Sequence, residues 1–448
     1  MKSFNKNIDM LNAPLFKNIL LFTIPIALCS IIQQLFNAAD TAIVGYFDNS
    51  NALAAVGTNT ETVAFIVTVS SGLSIGVNVL IAKHIGENKL DTIKQIASFS
   101  MFLAFFIGIV VFAFGQVISL PFLRLIKTPE NILHLASLYL RIFFLGFPFL
   151  LVYDFGSSVL RARGDRKFPF AALVISGVIN VILNLILVVV FKLGVVGVAV
   201  ATAVSNVISS LLIIFKLKKE KLLVLSVNKN LFNFSYANQI FKIGIPSAVS
   251  GAVFCLANIF VQAYVNKFGS VAIAGSTIAM NFEYFTYYII TSFSQSTTTF
   301  VSQNYYANQF DRCKKTVRLC LLLSFLFNGG SIVIIVLFRT FFCSLFTTEQ
   351  SVIQNACLRI MIILAFEPIC SFYEIPAGAL RGCARAHLPA ISTVVGTCVF
   401  RIVWIFTVCK HYQSLEVLYY AFPLSWVITI ILVSICYFAV GKRIFKRN

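Results

Sequence analysis

Long apolar stretches, separated by short polar or basic segments, run along almost the whole chain. An α-helix needs about 20 mainly apolar residues to cross a bilayer, and the 448 residues contain twelve such stretches. Six precede the basic segment 216–242 and six follow it. The pattern predicts an all-α integral membrane protein. Its predicted spans are 18–44, 52–81, 95–119, 131–158, 168–190, 194–215, 238–265, 271–300, 317–342, 351–379, 388–409 and 416–440.

A repeated phrase relates the two groups of six spans. YDFGSSVLRARGDRKFP at 153–169 aligns with YEIPAGALRGCARAHLP 220 residues later, and Asp154 falls on Glu374. A shift of 221 pairs Pro25 with Pro246. Two similar apolar halves are the usual build of a secondary transporter. The repeat therefore predicts an N-terminal six-helix lobe, a cytoplasmic basic linker and a C-terminal six-helix lobe, at 1–215, 216–242 and 243–448.

Composition and charge agree with a lipid environment. The chain is 59% hydrophobic and 11% charged, whereas soluble domains are about 25% charged. The net charge of +19 is not spread as in a nucleic-acid-binding protein, because 26 Lys and Arg residues fall in one set of loops and six in the other. This is the positive-inside distribution. It predicts a multi-pass protein of the plasma membrane with both termini cytoplasmic, two parallel repeats and no nucleic-acid partner.

The sequence shows no recognisable targeting, metal-binding or catalytic motif. Residues 1–14 show no cleavable signal pattern, so the first span is expected to direct insertion. The eleven cysteines form no CxxC pair, and reduced structural thiols are expected rather than a metal site. The chain has no HExxH, no GxxxxGK and no nucleophile elbow. An enzyme or an ATP-driven pump is therefore not indicated.

Acidic residues inside the spans are candidates for function, because a charge in the bilayer is costly. Asp40 stands out, since Gln33, Asn37 and Asp40 share one face of the first span. If isolated, such a carboxylate would take up a proton; if partnered, it would bind a cation. The alternative is hydrogen bonding between helices. The acids in the spans are Asp40, Glu61, Asp154, Glu283, Glu367 and Glu374.

Amides and hydroxyls in spans 5 and 6 are possible partners for Asp40. Asn180 and Asn184 lie one turn apart on one helix face, and Thr202 lies in span 6. Their oxygens could complete a cation site or serve helix packing.

The remaining acids have two interpretations each. Asp154 and Glu374 form a gate or pair with nearby arginines, and Glu61 and Glu283 attract a cationic substrate or are cavity-wall acids without a ligand. Glu367 precedes Pro368, where a break in the helix would free backbone amides.

Span 8 combines an acid with aromatic residues. Tyr284 and Tyr287 lie beside Glu283 among several other rings, an arrangement that suits a bulky organic cation. The alternative is an interfacial aromatic belt. Pro25 and Pro246 kink the first span of each half, either as bending points or as static kinks.

Taken together, these residues resemble the multidrug and toxic compound extrusion (MATE) family. The resemblance rests on QQLFNAADTAIVG in span 1, SVLRARGDRKFP after span 4, NVILNLILVVVFKLGVVGVAVAT across spans 5 and 6, and GALRGCARAHLP after span 10. It implies two six-helix bundles around a V-shaped central cavity. It also implies a monomeric antiporter that exports small organic cations or drugs in exchange for H⁺ or Na⁺, with no other cofactor.

By resemblance, the family's N-terminal cation site maps to Asp40, Asn180, Asn184 and Thr202. The substrate cavity is expected to involve Gln33, Asn37, Glu61, Glu283, Tyr284 and Tyr287, and bending or gating to involve Pro25, Asp154 and Glu374.

The sequence departs from the family pattern at two places. Some members have Asp where this chain has Asn184, and another branch has acids where this chain has Phe254 and Cys370. One coupling carboxylate is therefore expected, in the first half only, because Asp40 and Asn180 fall on Val261 and Phe400 in the second. A flippase for lipid-linked sugars and an unrelated secondary transporter stay open as alternatives.

Overall fold

The computed structural model describes residues 9–47, 50–125, 128, 130–223 and 234–444, and every regular element within these ranges is helical. The α-helices are α1 Leu15–Phe47, α2 Ser50–Gly86, α3 Leu90–Leu125, α4 Glu130–Ala162, α5 Lys167–Asn184, α6 Gly194–Lys219, α7 Phe234–Val265, α8 Ser270–Tyr306, α9 Phe310–Leu337, α10 Arg339–Ser344, α11 Gln350–Ile362, α12 Ser371–Gly382, α13 His387–Thr393, α14 Phe400–Phe406, α15 Val408–His411 and α16 Leu415–Ile444. Two π-helical turns, Leu185–Val190 and Val394–Val399, and two 3₁₀ segments, Asn266–Phe268 and Leu364–Cys370, extend or join them.

The helices confirm the predicted all-α membrane fold. In the described residues, eleven helical segments are long and apolar enough to cross a membrane. The segment missing from that set is α8, although it is 37 residues long. Its second half is rich in Ser and Thr, and those side chains are buried inside the protein. Polar residues of this kind pack against other helices rather than lipid.

The two halves end their helices in the same way. Asn88 and Asn308, 220 residues apart, follow α2 and α8 with φ of 58° and 59°. Gly164 and Ala384, also 220 apart, follow α4 and α12 with φ of 84° and 58°. A left-handed residue of this kind is a common helix C-cap. The repeat seen in the sequence is thus a repeat of backbone conformation.

The second and fourth spans of each half are joined at matching points. Asn78 donates a hydrogen bond of 3.2 Å from α2 to the Ser158 carbonyl of α4. At the corresponding positions, Thr298 donates one of 3.0 Å from α8 to the Gly378 carbonyl of α12. The same helix pairing therefore recurs with different donors.

The chain forms two compact units. The first contains Leu28–Ile245, and the second contains Met10–Ala27 and Pro246–Asn448. Helices α1 and α7 run without a break through Pro25 and Pro246. Each of them therefore begins in one unit and ends in the other. Of the predicted basic linker 216–242, residues 224–233 lie outside the described part.

Candidate cation-coupling site

A close approach between α1 and α5 places the candidate site in the first unit. A Cβ added to Gly177 of α5 would lie 1.8 Å from the Phe36 ring of α1. Only glycine leaves room for that ring without a shift. Asp40 lies one turn beyond Phe36, and Asn180 and Asn184 lie one and two turns beyond Gly177. The approach therefore aligns the three polar residues.

Asp40 accepts hydrogen bonds from two other helices. The Asn184 Nδ2 of α5 lies 2.5 Å from Asp40 Oδ1. The Thr202 Oγ1 of α6 lies 3.4 Å from Asp40 Oδ2. Both donors were predicted from the sequence to accompany Asp40, and the structure brings all three together.

Asn180 completes the cluster through its neighbours rather than through Asp40. Its Oδ1 accepts from Asn184 Nδ2 at 3.2 Å, and its Nδ2 lies 3.5 Å from Thr202 Oγ1. Asn184 is fully buried, and its Oδ1 has no hydrogen-bond partner among the described residues. The π-helical turn Leu185–Val190 begins directly after Asn184. Such turns are frequent at functional sites.

An apolar cluster borders the polar one. It contains Ile43, Val188 and Val198, each about one helical turn from Asp40, Asn184 or Thr202. Apolar surroundings strengthen electrostatic interactions within a site. A change of charge at Asp40 would therefore act strongly on the helices that contact it.

The donor set suits a proton or a small hard cation. Asp40, Asn184, Asn180 and Thr202 all offer oxygen atoms, which Na⁺-like cations prefer over nitrogen or sulfur. The described residues include no group of three or more His, Cys, Asp or Glu side chains able to hold a metal ion.

The second unit has other residues at the corresponding positions. A shift of 221 places Val261 at the position of Asp40, and a shift of 220 places Phe422 at that of Thr202. In the fifth span of the second half, the π-helical turn Val394–Val399 adds one residue. Arg401, rather than the expected Phe400, therefore corresponds to Asn180. The carboxylate and most of its polar partners are absent from this position in the second unit.

The structure gives Glu283 a strong partner. Arg359 of α11 donates to both of its carboxylate oxygens, from Nε at 2.7 Å and from Nη2 at 2.9 Å. The Arg359 guanidinium also lies 5.3 Å from the ring centroid of Tyr419. Glu283 is thus held in a buried bidentate ion pair, an arrangement in which its charge is already balanced.

The other residues predicted for the cavity belong to α1, α2 and α8. Tyr287 donates to Glu374 Oε1 at 3.0 Å and stacks on Phe254. Gln33 and Tyr284 are half-buried in α1 and α8. The side chains of Asn37 and Glu61 lie outside the described part of the chain. A shared substrate cavity for these residues stays a prediction.

The two repeated acids differ in their contacts. Glu374 lies 3.3 Å from Arg381 Nη2 and 3.2 Å from Ser294 Oγ. Asp154 accepts from Ser70 Oγ at 2.5 Å, and no cation lies within ion-pair distance of it among the described residues. Pairing with a nearby arginine therefore describes Glu374 better than Asp154.

The break expected at Pro368 is present as the 3₁₀ segment Leu364–Cys370. Glu367 is buried there and accepts from the side-chain amide of Asn328 at 3.3 Å. That partner is a side chain of α9, not a freed backbone amide.

Sequence reasoning did not identify Arg359 and Arg401, both of which are buried in the second unit. The available signal was their position inside apolar spans, where a base needs an acid, an aromatic ring or a ligand. Arg359 forms an ion pair with Glu283. The hydrogen-bond partners of Arg401 among the described residues are instead the neutral side chains Ser425 and Asn258.

Comparison with known proteins agrees with this architecture. The family model MatE matches residues 25–186 and 246–407, so that both matches begin at the paired prolines. The probable multidrug resistance protein YoeA of Bacillus subtilis (strain 168) is 26% identical over 439 residues, 96% of this chain and 94% of that protein. The multidrug export protein MepA of Staphylococcus aureus (strain N315) is 23% identical over 363 residues, 79% of this chain and 78% of that protein.

A solved structure shows the same fold. An outward-facing multidrug resistance MATE family transporter of the MOP superfamily superposes with a TM-score of 0.91 at 20% identity, over 99% of each chain. The repeated family match covers most of both halves, and the chain therefore belongs to the MATE family of membrane transporters.

Proposed function

We propose that this protein exports drugs and organic cations across the plasma membrane in exchange for H⁺ or Na⁺. Support for drug export comes from family membership and from relatives named as multidrug resistance and multidrug export proteins. Support for cation coupling comes from the residues around Asp40.

The observation that carries the coupling proposal is the contact of Asp40 with Asn184 and Thr202. These two donors stabilise the ionised carboxylate when no cation is bound. A cation that binds Asp40 competes with these donors for the carboxylate oxygens, and in the proposed mechanism at least one donor is displaced or reoriented. Cation binding is therefore linked to the positions of α5 and α6 relative to α1.

Asn184 allows the site to hold a proton. A half-turn of its amide exchanges the N–H groups for Oδ1, which has no partner among the residues that the structure describes. Oδ1 can then accept a hydrogen bond from the protonated Asp40. For Na⁺, the same half-turn presents Oδ1 as a neutral ligand beside the carboxylate. Either ion is compatible with the residues, and transport measurements have to choose between them.

Helix α1 supplies the connection to alternating access. Asp40 lies on the part of α1 that belongs to the first unit, and Pro25 lies on the part that belongs to the second. A change of charge at Asp40 therefore acts on a helix that both units share. For coupling, the cation must have different affinities for the two conformations of the transporter.

The test is efflux of a fluorescent organic cation, ethidium, from proteoliposomes under a proton gradient or a sodium gradient imposed separately. We expect one gradient to drive efflux in the wild type and neither to do so in Asp40→Asn. The control is Asp311→Asn, because Asp311 is an exposed acid on α9. Full gradient-driven efflux by Asp40→Asn would refute the role of Asp40 but not the export of organic cations.

A further inference from the structure

One buried arginine of the second unit forms no ion pair with any described residue. Arg401 of α14 is 1% exposed. Its Nε donates to Ser425 Oγ at 3.1 Å, and its Nη1 lies 3.4 Å from Asn258 Oδ1. Its Nη2 is buried and has no hydrogen-bond partner in the part of the chain that the structure describes. Among the described residues, no carboxylate lies within 4.0 Å of it.

Two other arginines of the same unit are paired. Arg359 lies 2.7 Å from Glu283, and Arg381 lies 3.3 Å from Glu374. A buried charge that lacks a counter-ion strongly destabilises a fold. Of these three arginines, Arg401 is therefore the one at which a bound counter-ion would stabilise the fold most.

Aromatic rings restrict where that counter-ion can bind. The Arg401 guanidinium lies 4.0 Å from the ring centroid of Phe422 and 5.7 Å from that of Phe254. The rings provide cation–π attraction, but they accept no hydrogen bond in the guanidinium plane. The Nη2 N–H groups point along that plane and require an acceptor. An acceptor for Nη2 therefore has to lie in the guanidinium plane, beside the two rings. A small acceptor fits this position best.

We propose that the second unit binds one monovalent anion, a halide or a carboxylate group, at the Nη2 edge of Arg401. Because no described carboxylate lies within ion-pair distance of Arg401, one added negative charge at this edge would form its first direct ion pair. The Asn258 amide, half-buried beside Arg401, carries further N–H donors for the same ligand. Neither feature depends on the exported substrate or the coupling ion, so the proposal stands apart from the proposed function.

The proposed anion site lies at the position that corresponds, by the internal repeat, to the candidate cation site. Arg401 corresponds to Asn180, and Phe422, against which it packs, corresponds to Thr202. The same place in the fold thus holds an acid with oxygen ligands in the first unit and a base with a free donor edge in the second. One position would bind ligands of opposite charge in the two halves.

The chain provides its own reporter for an anion here. It has two tryptophans. Trp404 lies three residues after Arg401, and Trp426 packs against Phe422 with ring centroids 6.2 Å apart. Iodide quenches tryptophan fluorescence, so iodide bound at Arg401 would reduce the emission in a saturable way. Unbound iodide gives only a linear collisional effect.

The experiment uses the full-length protein in detergent, in sodium sulfate buffer free of halides and carboxylates. Iodide is titrated at constant ionic strength, and chloride or acetate is then added as a competitor. We expect a saturable component in the wild type that chloride or acetate displaces; the more effective competitor identifies a halide site or a carboxylate site. In Arg401→Gln the apparent affinity should fall at least tenfold, whereas Arg381→Gln should retain it.

Linear quenching in the wild type, unaffected by both competitors, would overturn the proposal. So would an unchanged saturable component in Arg401→Gln. If Arg401→Gln does not fold, Arg401→Lys is used, which keeps the charge but loses the planar donor pair. The affinity should then fall as well, and an unchanged affinity would again overturn the proposal.

Discussion

Asn184 donates a hydrogen bond of 2.5 Å to Asp40, and its own amide oxygen has no partner in the described ranges of the chain. A side chain with one satisfied and one unsatisfied polar atom can bind in either orientation. In the proposed mechanism, Asn184 therefore links a change of charge at Asp40 to the position of α5.

Replacement of Asn184 tests this relationship. A hydrogen bond to a charged group contributes about 1.5–3 kcal/mol. In the proposed mechanism, Asn184→Leu should therefore shift the cation concentration for half-maximal efflux roughly 10- to 100-fold. The measurement is ethidium efflux from proteoliposomes at graded pH or sodium concentration.

The matched control for that variant is Asn281→Leu. Asn281 is half-buried on α8, and its amide donates to the Thr277 carbonyl of its own helix. We expect no shift in this variant. An equal shift in both would mean that loss of any helical amide alters transport.

Close packing of α1 on α5 should also be required for transport. The Phe36 ring fills the space next to Gly177. Gly177→Val should separate the two helices and lower the efflux rate at least tenfold, with the protein still inserted. Gly57→Ala is the control, because a Cβ there meets nothing within 4 Å. An unchanged efflux rate in Gly177→Val would show that Asp40 does not need this approach.

The sequence was most informative where a physical rule left few choices. Apolar length identified the spans, because a bilayer tolerates only paired backbone groups. The spacing of Asn180 and Asn184 placed both on one face, and that face does meet Asp40. Periodicity and the cost of a membrane charge identified these residues as candidates, and the family resemblance grouped them into one site.

The sequence was least informative where partners lie far apart in the chain. Glu283 and Arg359 are 76 residues apart, and no periodicity links them. The one-residue shift that puts Arg401 in place of Asn180 comes from a π-helical turn. Such a turn has no reliable sequence signal, since it differs from an α-helical turn only in its hydrogen bonds.

The ion pair of Glu283 and Arg359 should be a structural requirement. Loss of one partner of a buried pair costs about 3–5 kcal/mol, because the other charge is left unbalanced. Glu283→Gln should therefore lower the melting temperature in detergent by several degrees. Asp311→Asn, which breaks an exposed pair with Lys314, should leave it unchanged. An unchanged melting temperature in Glu283→Gln, together with weaker ethidium binding, would instead favour the substrate-binding interpretation.

The turn after α12 offers a stabilising substitution that the repeat itself suggests. Ala384 has φ of 58°, whereas its counterpart after α4 is Gly164, with φ of 84°. A left-handed conformation costs an L-residue roughly 1–2 kcal/mol, and glycine avoids this cost. Ala384→Gly should therefore raise the melting temperature in detergent, and Gly164→Ala should lower it. Efflux should be unchanged in Ala384→Gly, because Ala384 belongs to the second unit and the candidate coupling site to the first. A lower melting temperature in Ala384→Gly would show that the Ala384 methyl group makes contacts that outweigh the backbone strain.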